Sequence, residues 1–147
     1  MSTHYETLSP TNAYRDTFGV ALPLETTERH MWPRKIGHFI RAVPLALPAP
    51  DAAADSDTAP AREVVAAQWG LVPHWVKSAS DAKLRSPKLI HAKAETVSTT
   101  RAFHDAWIKG QRCIVPMAAF FEDDYREGKA LPTRISRIDG QPMGAAG

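Results

Sequence analysis

Arg112-Cys113-Ile114-Val115-Pro116-Met117-Ala118-Ala119-Phe120-Phe121-Glu122 is the stretch that decides the fold. Its two apolar runs, 113–115 and 118–121, are short, rich in β-branched and aromatic residues, and split by Pro116. That is the pattern of two short buried strands rather than one helix. Downstream, residues 133–138 alternate before Asp139-Gly140, a strong hairpin signal, with a return strand over 142–146. Upstream, Val64, Val65 and the small residues before Trp69 make a buried-strand candidate. It runs into Trp69-Gly70-Leu71-Val72-Pro73-His74-Trp75, two aromatics flanking a rigid turn. Ile36, Phe39 and Ile40 suggest a further strand that Pro44 ends.

Helices are few and short. Thr99 or Thr100 is placed to cap a helix over 101–109, with Phe103, Ala106 and Trp107 on one face and Gly110 just past its end. Thr11 is placed to cap a shorter one over 12–18, and residues 2–8 are too short and mixed to classify. Twelve prolines against eight glycines, with four tryptophans, agree with many short elements joined by rigid turns. The expectation is a strand-rich α+β fold.

The chain of 147 residues suits one domain spanning 1–147. Residues 47–61 read Leu-Pro-Ala-Pro-Asp-Ala-Ala-Ala-Asp-Ser-Asp-Thr-Ala-Pro-Ala and should form a flexible internal loop, since nothing beyond Leu47 could anchor them to a core. A return strand over 142–146 is barely long enough to pair, so the domain is expected to continue past Gly147. The single cysteine, Cys113, excludes an internal disulfide, and no cysteine–histidine cluster has zinc-ligand spacing. With no signal-like amino end and no apolar run of about 18 residues, the expected location is cytoplasmic, away from any membrane.

The net charge of +2 does not announce a nucleic-acid binder, so the positions of the charges decide. Lys77, Lys83, Arg85, Lys88, His91 and Lys93 cluster against Asp81 alone. With Trp69 and Trp75 nearby they fit phosphate contact plus base stacking, the combination single-strand binders use. A solvated charged loop beside two core tryptophans fits the same residues. Glu122, ending an apolar run, is a carboxylate whose pKa burial could raise for proton transfer. It is equally readable as a strand-end group in water beside Asp123 and Asp124. His91 and Glu95 flank Ala92-Lys93-Ala94 and could approach one another, or His91 could be a surface histidine. Cys113, without a histidine nearby, reads as a buried structural thiol.

Three blocks in order resemble a known family: Trp69 to Trp75 as quoted, then Ile90-His91-Ala92-Lys93-Ala94-Glu95-Thr96, then Arg112 to Pro116 leading to Phe120-Phe121-Glu122. They are similar to the signature blocks of the SOS response-associated peptidase (SRAP) family, and the likeness spans essentially the whole chain. The resemblance implies mainly antiparallel sheets curled into a pseudo-barrel with a few short peripheral helices. It implies a monomer with no cofactor that handles abasic sites in single-stranded DNA during the SOS and DNA damage response.

In that family the initiator Met is removed and residue 2 is a cysteine. Its amine condenses with the sugar aldehyde and its thiol closes a thiazolidine, a covalent protein–DNA linkage; the peptidase (hydrolase) name comes from self-release by the same cysteine. An asparagine, a glutamate and a later histidine complete the family's site. This sequence has Ser2 for the cysteine and His91 for the asparagine, and the segment carrying the later histidine is absent. Glu122 matches directly, with Lys93 as the phosphate-contacting basic residue. The resemblance therefore implies catalytic roles for Ser2, His91 and Glu122, and DNA contact by Lys93, Arg85, Trp69, His74 and Trp75. A serine amine still forms an imine, but its hydroxyl is a far weaker nucleophile than a thiolate. Reversible Schiff-base or lyase chemistry is expected, and the alternative is a non-catalytic single-stranded DNA-binding remnant of the same fold.

Overall fold

The computed structural model describes residues 2–8, 12–21, 28–43 and 60–147. Twelve elements follow in order, here with labels for strands and α-helices: β1 Tyr5–Glu6, α1 Asn12–Phe18, β2 His30–Met31, β3 Ile36–Ala42, β4 Arg62–Gln68, α2 Ala79–Arg85, a 3₁₀ turn Ser86–Lys88, α3 Arg101–Ile108, β5 Cys113–Met117, β6 Ala119–Asp124, β7 Leu131–Ile135 and β8 Met143–Ala146. The strands form two four-stranded sheets, β2-β1-β6-β7 and β4-β3-β5-β8. Every pairing is antiparallel. The α+β expectation with short helices holds. No described helix is long and apolar enough to cross a membrane.

The sheets meet face to face around Tyr5, Met31 and Met117, with Trp69, Val115, Phe120, Met143 and Ala145 packed against them. Met31 is 0% exposed, and burying such a side chain contributes about 1.5–3 kcal/mol. Contact is close at Gly37 of β3, where a Cβ would lie 2.7 Å from Tyr5 Oη. A side chain at this position would meet the tip of the Tyr5 ring, so glycine leaves room for the buried phenol. Burial there pushes the Tyr5 phenol up to about 12. Strand alternation turns Ile40 and His38 to the opposite side of β3. There α1 covers them, with Tyr14, Val20 and Ile40 forming a second cluster and Tyr14 Oη 3.4 Å from His38 Nδ1.

Several boundaries differ from the sequence reading, each for a physical reason. Pro116 does not divide the apolar stretch, because β5 runs through it and pairs it with Gly144. Cys113 exchanges both backbone hydrogen bonds with Gly147, so alternation directs the Pro116 nitrogen toward β3. The β3 ladder has already ended at Ile114, and the missing N–H costs nothing. The break falls at Ala118, whose N–H donates to Glu6 O at 2.8 Å while Ala119 is Glu6's register partner. Two residues thus oppose one, as in a β-bulge, and the chain turns the corner from one sheet into the other.

The Asp139-Gly140 turn forms, with Gly140 at φ 70°, but it closes no hairpin. β7 pairs with β6 and β8 with β5, so the turn passes between sheets. The hairpin is instead β6–β7, around Gly128 at φ 77°. β4 is a half-exposed edge strand rather than a buried one. Thr100 precedes α3 without a side-chain cap. Part of the basic stretch is not a loop: Ser78 Oγ accepts from Asp81 N–H at 3.1 Å and starts α2. Thr11 and nearly all of 47–61 lie outside the described residues.

Candidate functional site

The amino end is fastened to β6. Phe121 N–H donates to His4 O at 3.0 Å, continuing the register in which Tyr5 faces Phe120. Ser2 Oγ lies 2.7 Å from His4 O and 2.8 Å from Phe121 O, so one hydroxyl proton is shared between two carbonyls. Ser2 O meets His91 Nε2 at 2.5 Å. A carbonyl only accepts, so Nε2 carries the proton, and in the neutral ring Nδ1 is the basic nitrogen. The Ser2 residue therefore bridges the strand before Glu122 and the loop bearing His91. Neither segment is near the other in sequence.

Alternation along β6 puts the half-buried Glu122 on the same face as Phe120, whose register partner is the buried Tyr5. Phe121 points to the other face. Trp69 packs at 5.4 Å from Tyr5, lies edge-on to His91 at 6.4 Å, and donates its indole N–H to Ile90 O at 3.3 Å. It thus serves as a post holding the His91 backbone. Gly70 directly after it, at φ 125°, could not carry a side chain, since a Cβ would lie 2.6 Å from Ser86 O.

The opposite face carries groups that the sequence reading passed over. The His4 ring is sandwiched between Trp32, at 3.8 Å and 12°, and Phe121, at 4.0 Å and 8°. Its Nε2 is 2.9 Å from His30 Nδ1. Partial burial lowers the His4 pKa, repulsion from His30 adds to this, and Glu6 opposes it. Glu6, also buried, takes Arg29 on one oxygen, at 2.8 Å and 3.0 Å, and Arg134 on the other at 2.8 Å. The guanidinium bonds hold its pKa down against desolvation, and they tie β1 to β7 and to the segment leading into β2.

Part of the basic stretch gathers around Trp75. The Arg85 and Arg101 guanidinium carbons each lie 5.0 Å from the Trp75 ring centroid, within cation–π range. The Trp75 indole N–H is buried with no hydrogen-bond partner among the described residues. Arg85 also pairs with Asp81 at 2.7 Å, and His74 Nδ1 meets Asp105 Oδ2 at 2.7 Å. Lys93 is exposed on the turn after His91, its carbonyl accepting from Thr96 and Val97. Arg101, the first residue of α3, carried no motif that would have flagged it. Ser2, His91, Trp69 and the strand of Glu122 converge, whereas Trp75, His74 and Arg85 gather with Arg101 around α2 and α3. Cys113 lies half-buried in β5, where burial raises its thiol pKa. Among the described residues no three acidic, histidine or cysteine side chains group to hold a metal.

Comparison with solved structures gives the same architecture. A crystal structure of a protein from Bordetella bronchiseptica superposes with TM-score 0.78 and 35% identity, covering 98% of this chain and 61% of that one. One from Bacteroides thetaiotaomicron gives 0.69 at 22% identity over 98% of this chain and 58% of that one, a likeness of fold alone. Among curated proteins, Abasic site processing protein YedK of Escherichia coli is 36% identical over 75 residues, 51% of this chain and 30% of that protein. Abasic site processing protein YMR114C of Saccharomyces cerevisiae is 35% identical over 80 residues, 54% of this chain and 21% of that protein. Abasic site processing protein HMCES of Gallus gallus is 31% identical over 65 residues, 44% of this chain and 19% of that protein. The matched segments thus span less than a third of these relatives' lengths. The family model for SOS response associated peptidase (SRAP) matches residues 1–147, and the chain belongs to that family.

Proposed function

We propose that the chain processes abasic sites in single-stranded DNA through a reversible Schiff base on the Ser2 amine, exposed by removal of Met1. The observation that carries this reading is Ser2 itself, bonded through its hydroxyl to Phe121 O and through its carbonyl to His91. An α-amine of pKa about 8 is partly neutral at pH 7. Its lone pair attacks the aldehyde carbon of the ring-opened sugar; the carbinolamine then loses hydroxide, with a proton, as water. Glu122, on the inner face beside this end, is assigned the proton transfers of that dehydration. His91 is assigned to orient Ser2 through its carbonyl. The shared hydroxyl proton keeps Ser2 Oγ engaged with two carbonyls and away from the imine carbon, so ring closure to an oxazolidine is disfavoured and the linkage stays hydrolysable. Elimination of the 3′ phosphate from the imine would make the activity a lyase.

The names of the curated relatives support abasic DNA as the partner. Arg85, Arg101, Trp75 and Lys93 are assigned the strand, with His74 held beside them by Asp105 and Trp69 supporting the His91 loop. The test is incubation of the chain, with Met1 removal verified by intact mass, with single-stranded abasic DNA and borohydride. A reduced adduct at Ser2 is expected. A folded protein that yields none overturns the covalent step, and salt-sensitive DNA binding without adduct would select the non-catalytic binding module.

A further inference from the structure

Ser2-Thr3-His4 puts an imidazole third from the processed amino end. A terminal amine, the next two amide nitrogens and Nδ1 of a third-position histidine can close three fused chelate rings in one plane. Square-planar nitrogen sets select Cu(II) and Ni(II) among divalent metals. We infer that the processed amino end is a Cu(II)- or Ni(II)-binding site made of the Ser2 amine, the Thr3 and His4 amide nitrogens and His4 Nδ1. The inference shares with the function proposed above the removal of Met1 and the Ser2 amine it frees.

The fold leaves these atoms able to coordinate. β1 begins at Tyr5, so the Ser2–Thr3 and Thr3–His4 peptides precede the ladder. The bond fastening this end to β6 runs from Phe121 N–H to His4 O, which belongs to the next peptide. Coordination would therefore leave β1 paired. Among the described residues the His4 N–H is held only by Ser2 Oγ, at 3.2 Å, and the exposed Thr3 N–H by none. At His4 the engaged nitrogen is Nε2, 2.9 Å from His30 Nδ1, and the coordinating one is Nδ1. An outer partner on the far nitrogen is the usual arrangement for a ligating histidine. Trp32 and Phe121 fix the ring plane between them. The site needs one imidazole, so the lack of a three-side-chain cluster does not bear on it.

Binding changes no oxidation state. The ammonium and the two amides each release a proton to solvent, and the freed lone pairs go to the metal, so affinity rises with pH. An amine lone pair held by metal cannot attack an aldehyde. Metal and abasic sugar therefore compete for Ser2.

The full chain, with its amino end verified by intact mass, is titrated with Cu(II) chloride and Ni(II) chloride. One equivalent is expected, with the visible absorption and nitrogen hyperfine pattern of a four-nitrogen plane. Thr3→Pro, which removes an amide proton at an exposed residue, loses that signature while circular dichroism stays unchanged. His30→Ala weakens binding by about 10- to 100-fold. A Met1-free wild type without the signature, or a Thr3→Pro variant that keeps it, overturns the site. A copper signature without borohydride-trapped adduct in metal-free protein sinks the abasic-site reading and leaves the metal site standing; adduct without signature does the reverse. A chain that keeps Met1 overturns both.

Discussion

Replacing Glu6 by glutamine tests how the amino-terminal strand is held. Glu6 is 7% exposed, and its carboxylate takes Arg29 on one oxygen and Arg134 on the other. Glutamine keeps one acceptor and turns an NH₂ toward the second guanidinium, so a charge-assisted bond becomes donor against donor. A hydrogen bond to a charged group is worth about 1.5–3 kcal/mol. The Arg29 and Arg134 side chains are 74% and 46% exposed, so both recover water when released, which favours the lower end. Glu6→Gln should cost about 2 kcal/mol, a melting-temperature loss of about 4–8 °C for a chain of this length.

The pH dependence has a definite sign. Glu6 is lowered from its ordinary 4.5, so its contribution is complete above that value and fades as acid protonates it in the folded state. Urea unfolding of both proteins at pH 7 and at successively lower pH should show a gap that closes below about 4.5. A gap under about 0.5 kcal/mol at neutral pH would place the pair among ordinary surface ion pairs and refute the reasoning. So would a gap that persists undiminished in acid.

Glu122→Gln should slow borohydride-trapped adduct formation by about 10²–10⁴-fold with circular dichroism unchanged, and an unaltered rate would remove Glu122 from the proton transfers. Gly70→Ala, which combines a positive φ with a Cβ 2.6 Å from Ser86 O, should destabilise the fold by about 1–3 kcal/mol in denaturant titration. Arg101→Ala should weaken single-stranded DNA binding and reduce the log–log salt slope by about 0.7, and a slope equal to wild type would show that Arg101 meets no phosphate. Because burial raises the Cys113 thiol pKa, a disulfide reagent should label it slowly in the native chain and rapidly in urea.

What the sequence discloses here follows what is local. The strand at Ile36–Ala42 and the helix at Arg101–Ile108 were readable because branched or periodic apolar residues mark them and Pro44 and Gly110 follow them in the sequence. Strand partners were not readable. Asp139-Gly140 supplies turn chemistry, which says nothing about whether the next strand returns to the same sheet or crosses to the other. Pro116 looked like a break because a proline's tolerance depends on which neighbour its nitrogen faces, a fact of pairing. The Ser78/Asp81 cap before α2 was a legible signal, overlooked beneath the charge pattern. At the candidate site, Ser2, His91 and Glu122 came from resemblance and not from spacing. The stacking of His4 against Trp32 and Phe121 had no sequence signature, since it joins an amino end, a loop and a strand far apart in the chain.

The extra residue at the corner between the sheets sets a parity. Val115 and Met117 look inward before Ala118, and Phe120 looks inward after it, because that one alanine shifts the alternation by a step. Glu122 inherits its direction from this count. Deleting Ala118 would restore plain alternation and leave Glu122 facing inward, whereas one residue inserted after Ala118 would exchange the places of Glu122 and Phe121, carrying the carboxylate out among Arg29, Arg134 and His30 and burying a phenyl ring in its stead. The chemistry of this face is thus encoded partly by the number of residues at a corner that takes no part in it.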